Sequence, residues 1–234
     1  RWSSGALVAI AEAGAPVGLL RRDGSLAAVV VGRAERMGTT LHLALRSAGR
    51  RSDFAARVED WRRSVVSREA RALALPDAAV AARLGWAGAE QAMATASGLP
   101  HPAAGRRVAR LARSFCELMA RRVLHDGGCP DRWAGAGDRT EADLSTVFGQ
   151  IALWRLARLA IRPTGGEALR RALAAVRARA STRPATRAPS LGPALAAAAE
   201  LAAPRLRRDL AGDLRRFHAF LADLNAERRF GERS

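Results

Sequence analysis

RRVARLARSFCELMARRVLHDGG at residues 106–128, with TEADLSTVFGQIALWRLARLAIRP at residues 140–163, is the part of the chain whose reading decides the fold. In the first segment Val108, Leu111, Phe115, Leu118, Met119 and Val123 recur at three- and four-residue spacing, which marks one apolar face of an α-helix. Asp126-Gly127-Gly128 should stop that helix. Its other flank carries Arg106, Arg110, Arg113 and Arg121, with Glu117 spaced to pair with Arg121 at i, i+4. The second segment reads as a helix over about residues 141–162 that buries Leu144, Val147, Phe148, Ile151 and Trp154. It presents Arg155, Arg158 and Arg162 in a line, so two arginine-edged amphipathic helices form the expected centre.

Upstream, Ser3-Ser4 caps a short helix that Gly14 ends, and residues 16–20 and 26–31 read as two strands joined across Arg22-Asp23-Gly24. Two strands make a marginal sheet, which predicts a larger one completed from upstream or by a partner chain. From Thr40 the pattern is helical. Segments are expected over 41–47, over 52–75 with Phe54, Val58, Trp61 and Val65 on one face, from Pro76 to near Gly85, and over 87–97. Gly98-Leu-Pro-His-Pro is a corner before the central helices.

Downstream, 167–180 is a helix rich in Ala and Arg, and 181–193 is a Pro/Ser/Thr/Arg linker. Residues 194–227 form either one helix interrupted at Pro204 or two meeting there, with Leu206, Leu210, Leu214, Phe217, Leu221 and Leu224 on one face. The tail from Arg228 should fray. The fold class is therefore mainly α, a helical C-terminal domain preceded by a small α/β piece that is a remnant or part of a β-domain. The expected divisions are 1–38, the α/β piece; 39–180, a helical nucleic-acid-binding domain; 181–193, the linker; and 194–234, a C-terminal helical segment.

All 39 basic residues are arginine, set against 22 acids, for a formal charge of +17 over 234 residues. GC-rich codon usage explains arginine in place of lysine but not the excess over acids. That excess favours a polyanion, with nucleic acid first and an acidic membrane or protein surface second. Arginine stripes on the two central helices, and along Arg205, Arg207, Arg208, Arg215 and Arg216, extend the signal, although a solvated helix face looks similar. Cys116 and Cys129 make no disulfide framework and four scattered histidines give no zinc spacing. Cys116 reads as a buried small hydrophobe and Cys129 as a loop thiol. No apolar run reaches membrane-spanning length, and a cytoplasmic location is expected.

Other signals are mostly structural. His125 suits a helix C-terminus, whereas His101 and His218 have no partners nearby in sequence. Gly127-Gly128 and Gly135-x-Gly137 lack the preceding strand and the lysine of a phosphate loop. Trp61 and Trp154 fit the core by spacing. Trp133, between Arg132 and a glycine run, is the best candidate for a wedge against nucleic-acid bases.

The order of these pieces resembles the CRISPR-associated integrase of spacer acquisition, the Cas-one family. Residues 4–24 are similar to that family's short helix, G-x-P-V strand and hairpin, and 41–75 to its linker and first long helix. Residues 108–130, closing on Asp126-Gly-Gly-Cys-Pro130, resemble the helix before its Gly-Pro turn, and Arg162-Pro163 stands where the family has an Arg-Pro pair. The resemblance implies a divalent-metal nuclease and integrase that works as a dimer around its small partner, Cas-two. Its three metal-ligand positions fall near Ala120, in a stretch between Asp131 and Gly149 without histidine, and on Leu156. Alanine and leucine cannot supply the carboxylate oxygen that a divalent ion needs, and the expected histidine is missing.

The chain is thus expected to be a catalytically inactive Cas-one-like structural subunit of a CRISPR-type complex. It would bind DNA or RNA through Arg106, Arg110, Arg113, Arg121, Trp133, Arg155, Arg158 and Arg162, without cofactor or membrane, as a homo-oligomer or part of a larger assembly. One alternative is an active, divergent integrase that uses Mg or Mn with Glu117 and Asp138, Glu141 or Asp143. The bland reading of those carboxylates pairs Glu117 with Arg121 and places Glu141 and Asp143 in a helix's first turn. The other alternative is a helical protein-interaction module with a basic face.

Overall fold

A computed structural model describes residues 5, 6, 9, 17–21, 23, 25–30, 40–73, 78–129, 133, 143–161, 166–181 and 191–231. A hairpin of β1 (Val17–Leu20) and β2 (Leu26–Val30) precedes α1 (Thr40–Ala48), α2 (Phe54–Ala72), α3 (Ala78–Arg83) and α4 (Trp86–Ser97). The chain continues through α5 (Pro102–Asp126), α6 (Leu144–Ile161), α7 (Glu167–Ser181) and α8 (Leu191–Gly231). The chain is mainly helical, as its periodicity predicts. Of the short helix expected after Ser3-Ser4 only Gly5, Ala6 and Ala9 are described, and they are helical; most of the 181–193 linker, Arg162, Asp138 and Glu141 lie outside the described residues.

The ends of α5 follow from local chemistry. Extended His101 leads into Pro102 in the first turn, where the missing N–H is harmless. At the other end Gly128 adopts φ +74°, while the Cys129 N–H reaches the Leu124 carbonyl (2.9 Å) and the Gly128 N–H that of His125 (2.9 Å). This paired closure requires a left-handed residue, which glycine supplies without a steric penalty. At the start of α6, Asp143 accepts hydrogen bonds from the N–H groups of Ser145 (2.9 Å) and Thr146 (3.2 Å) and caps the helix.

Helix α6 is the core of the fold. It lies against α2, α4, α5, α7 and α8, and among Leu144–Ala160 only Thr146 and Arg158 are more than marginally accessible. This corrects the expectation of an amphipathic helix with an arginine edge in solvent. A helix surrounded on every side has no solvent face, and the apolar density of residues 144–161 is the sequence counterpart of that burial. At Gly149 a Cβ would meet the Trp86 ring at 2.9 Å, so the missing side chain is what lets α4 approach.

Helix α8 runs through Pro204 without breaking, which decides the alternative between one helix and two. Its buried face of Leu206, Leu210, Leu214, Phe217, Leu221 and Leu224 covers α1, α5, α6 and α7, as the spacing predicts. Trp61, Phe148 and Phe217 meet where α2, α6 and α8 converge, with ring centroids 4.9–5.8 Å apart. The hairpin rests on α5, with Gly18 against Leu118. Among the described residues no helix is long and apolar enough to cross a membrane.

Candidate nucleic-acid interface

Helices α5 and α6 carry the arginines expected to face a ligand, and several of them are engaged internally. Arg113 bonds Glu117 through Nε (2.8 Å) and Glu90 through Nη1 (3.0 Å), with its guanidinium 4.4 Å from the centre of the Trp86 ring. Glu117 therefore finds its i, i+4 partner on the N-terminal side, a correction to the expected pairing with Arg121. Arg155 is buried, bonded to Glu69 of α2 (3.0 Å) and to Asp213 of α8 (3.0 Å). Arg158 reaches the other oxygen of Glu69 at 2.7 Å. The expected presentation of Arg155 and Arg158 on a surface stripe is thus corrected, because a helix enclosed on all sides turns its arginines toward acids on its neighbours.

Trp133 is also buried, at 2% exposure, edge-on to Phe54 (5.3 Å) and against Gly49. An indole packed this way is a core anchor and not a base wedge. Its polar flanks in sequence hid the pocket that α1 and the start of α2 build for it. Cys129, expected as a loop thiol, is buried. Burial raises the Cys116 thiol well above its ordinary range and leaves it inert. Among the described residues no tryptophan is exposed.

The carboxylates named for metal binding are occupied where they are described. Glu117 is held by Arg113 and Asp143 by the first turn of α6, where the hydroxyls of Ser145 and Thr146 also donate to it (both 2.7 Å). No cluster of three or more His, Cys, Asp or Glu suited to a metal occurs among the described residues.

What remains accessible is part of the expected set together with arginines of α8. Arg106 is exposed on α5 at the rim of the cleft between α4 and α5. Arg110 and Arg121 are half-buried on the same helix. On α8, Arg205, Arg207, Arg208 and Arg215 are exposed and make no ion pair among the described residues. Arg216, by contrast, turns back to Asp213. With no ion pair to acids among the described residues, Arg205, Arg207, Arg208 and Arg215 give the α8 edge a positive field.

Two of these arginines enter a groove of about 380 Å³ between the start of α1, the end of α5 and the middle of α8. Arg207, Arg215 and His218 line it from α8, Thr40 from α1, and Asp126 with Gly127 from α5. Gly127 lets the helices close up, since a Cβ there would meet Leu214 at 2.4 Å. The one carboxylate among the described residues of the groove, Asp126, is bonded to Arg122 at 3.1 Å. Sequence spacing put Arg207 and Arg215 in the α8 stripe but left His218 isolated; the signal that unites them is the i, i+8, i+11 register of residues 207, 215 and 218 along one helix side. No protein-family model, curated protein or solved structure matches the chain.

Proposed function

We propose that this protein is a non-catalytic nucleic-acid-binding subunit that grips the phosphate backbone of DNA or RNA. The observation that carries this reading is the row of exposed α8 arginines without acidic partners among the described residues, in a chain whose buried Arg62 and Arg155 are paired. Guanidinium groups suit bidentate contacts to phosphate. The non-catalytic part is supported by the engagement of Glu117 and Asp143 in structural contacts. The Cas-one-like order of elements in the sequence supplies the proposed setting, a structural subunit of a CRISPR-type complex.

The experiment is binding of labelled duplex DNA, single-stranded DNA and RNA across a salt series, with Mg²⁺ or Mn²⁺ added and strand integrity followed. Affinity should fall steeply and linearly in log–log form, by roughly 0.7–0.9 in slope for each phosphate contact, with strands intact. Metal-dependent cutting would convert the reading to an active integrase. Indifference to all three nucleic acids at low salt would leave a protein-interaction module.

A further inference from the structure

We infer that the groove between α1, α5 and α8 is the seat of the phosphodiester backbone, with Arg207, Arg215 and His218 as the groups that hold it. The inference rests on the nucleic-acid reading above and adds the place and the mode of contact.

Three observations converge on it. First, the groove gathers two arginines and a histidine from α8 around a concavity, while the only carboxylate among its described lining residues is held by Arg122. Eight residues separate Arg207 from Arg215, about 12 Å along a helix axis, so the two guanidinium groups lie far enough apart to meet different phosphates of one strand. Second, Thr40 brings the first turn of the nine-residue α1 to the rim, where the positive end of a helix adds to the field of the arginines. Third, the described lining residues include no Phe or Trp, and no described tryptophan is exposed. A site with cations and no stacking platform reads backbone and not bases, so its binding is insensitive to sequence.

The test uses the full chain and fluorescein-labelled single strands of about 20 nucleotides, oligo-dT and oligo-dA, a length that exceeds a typical single-domain footprint. Three variants are compared with wild type. R207A/R215A removes the two cations; A211E puts a carboxylate into the groove without removing a base; R71A/R83A removes two exposed arginines from α2 and α3 as a control matched in charge. Both groove variants should lose about tenfold or more in affinity, and R207A/R215A should lower the salt slope by about 1.4. The control should change affinity by less than about threefold, and the two homopolymers should bind alike. Unchanged melting temperatures establish that the variants fold.

If wild type binds but the groove variants lose no more than the control, the groove is not the seat and only the general reading stands. A strong preference of wild type for one homopolymer would overturn the backbone mode of contact. If wild type fails to bind either strand at low salt, the nucleic-acid reading fails first and the groove with it.

Discussion

Arg155 of α6 and Asp213 of α8 are an ion pair in the centre of the protein, where Asp213 has no solvent exposure and Arg155 is 5% exposed. Burial pulls the arginine's pKa down, and the Asp213 and Glu69 carboxylates outweigh it, so the guanidinium is held above its ordinary value. The pair ties α8 to the core helix, and Glu69 extends the tie to α2. Asp213→Ala should destabilise the fold by about 3 kcal/mol, because the buried Arg155 guanidinium loses one of its two carboxylate partners and keeps Glu69 alone. Chemical denaturation measures this; a loss below about 1 kcal/mol would mean that the pair contributes no more than a surface contact.

Trp133 distinguishes core from ligand contact in one variant. Trp133→Ala should cost about 3–5 kcal/mol through the cavity left beside Phe54 and Gly49. Its effect on nucleic-acid affinity should vanish once folded protein is compared with folded protein. Full stability with weakened binding would return Trp133 to the surface.

Glu117→Gln tests the carboxylate most plausible as a metal ligand. Because Glu117 accepts a hydrogen bond from Arg113 at 2.8 Å, its loss should lower the melting temperature by a few degrees, on the order of 1 kcal/mol. Wild type should leave DNA strands intact with Mg²⁺ or Mn²⁺. Metal-dependent cleavage abolished by Glu117→Gln would show that the carboxylate is catalytic.

Acid should weaken the fold through Glu59. Hydrogen bonds from Arg62 Nε and Nη2 (both 2.6 Å), outweighing partial burial, hold its carboxyl below the ordinary value of 4.5. A group whose folded pKa is depressed stabilises fully above its unfolded pKa and loses that contribution as pH falls through the folded value. Stability should therefore decline below about pH 4.5, and Glu59→Gln should flatten part of that decline. Equal acid sensitivity in the variant would assign the effect to other carboxylates.

The helices were largely legible in the sequence because helical periodicity is local. Gly98, Pro102 and Gly127-Gly128 mark boundaries within a residue or two of those found, and the apolar register of residues 206–224 gives the buried face of α8. The site was only half legible. A stripe of arginines looks the same whether solvent or acids lie opposite, and Arg155 meets Glu69 and Asp213, 86 and 58 residues away, which no local pattern reveals.

The sequence by itself determined that this chain is helical, basic and centred on residues 106–163, since composition and spacing are properties of a linear chain. Tertiary structure alone decided which charges remain for a ligand. Enclosing α6 on all sides turned Arg155 and Arg158 to partners within the fold, while closing α5 on α8 at Gly127 gathered Arg207, Arg215 and His218 around one groove. The physical reason is that electrostatic neutralisation depends on distance in space, and distance in space is set by packing.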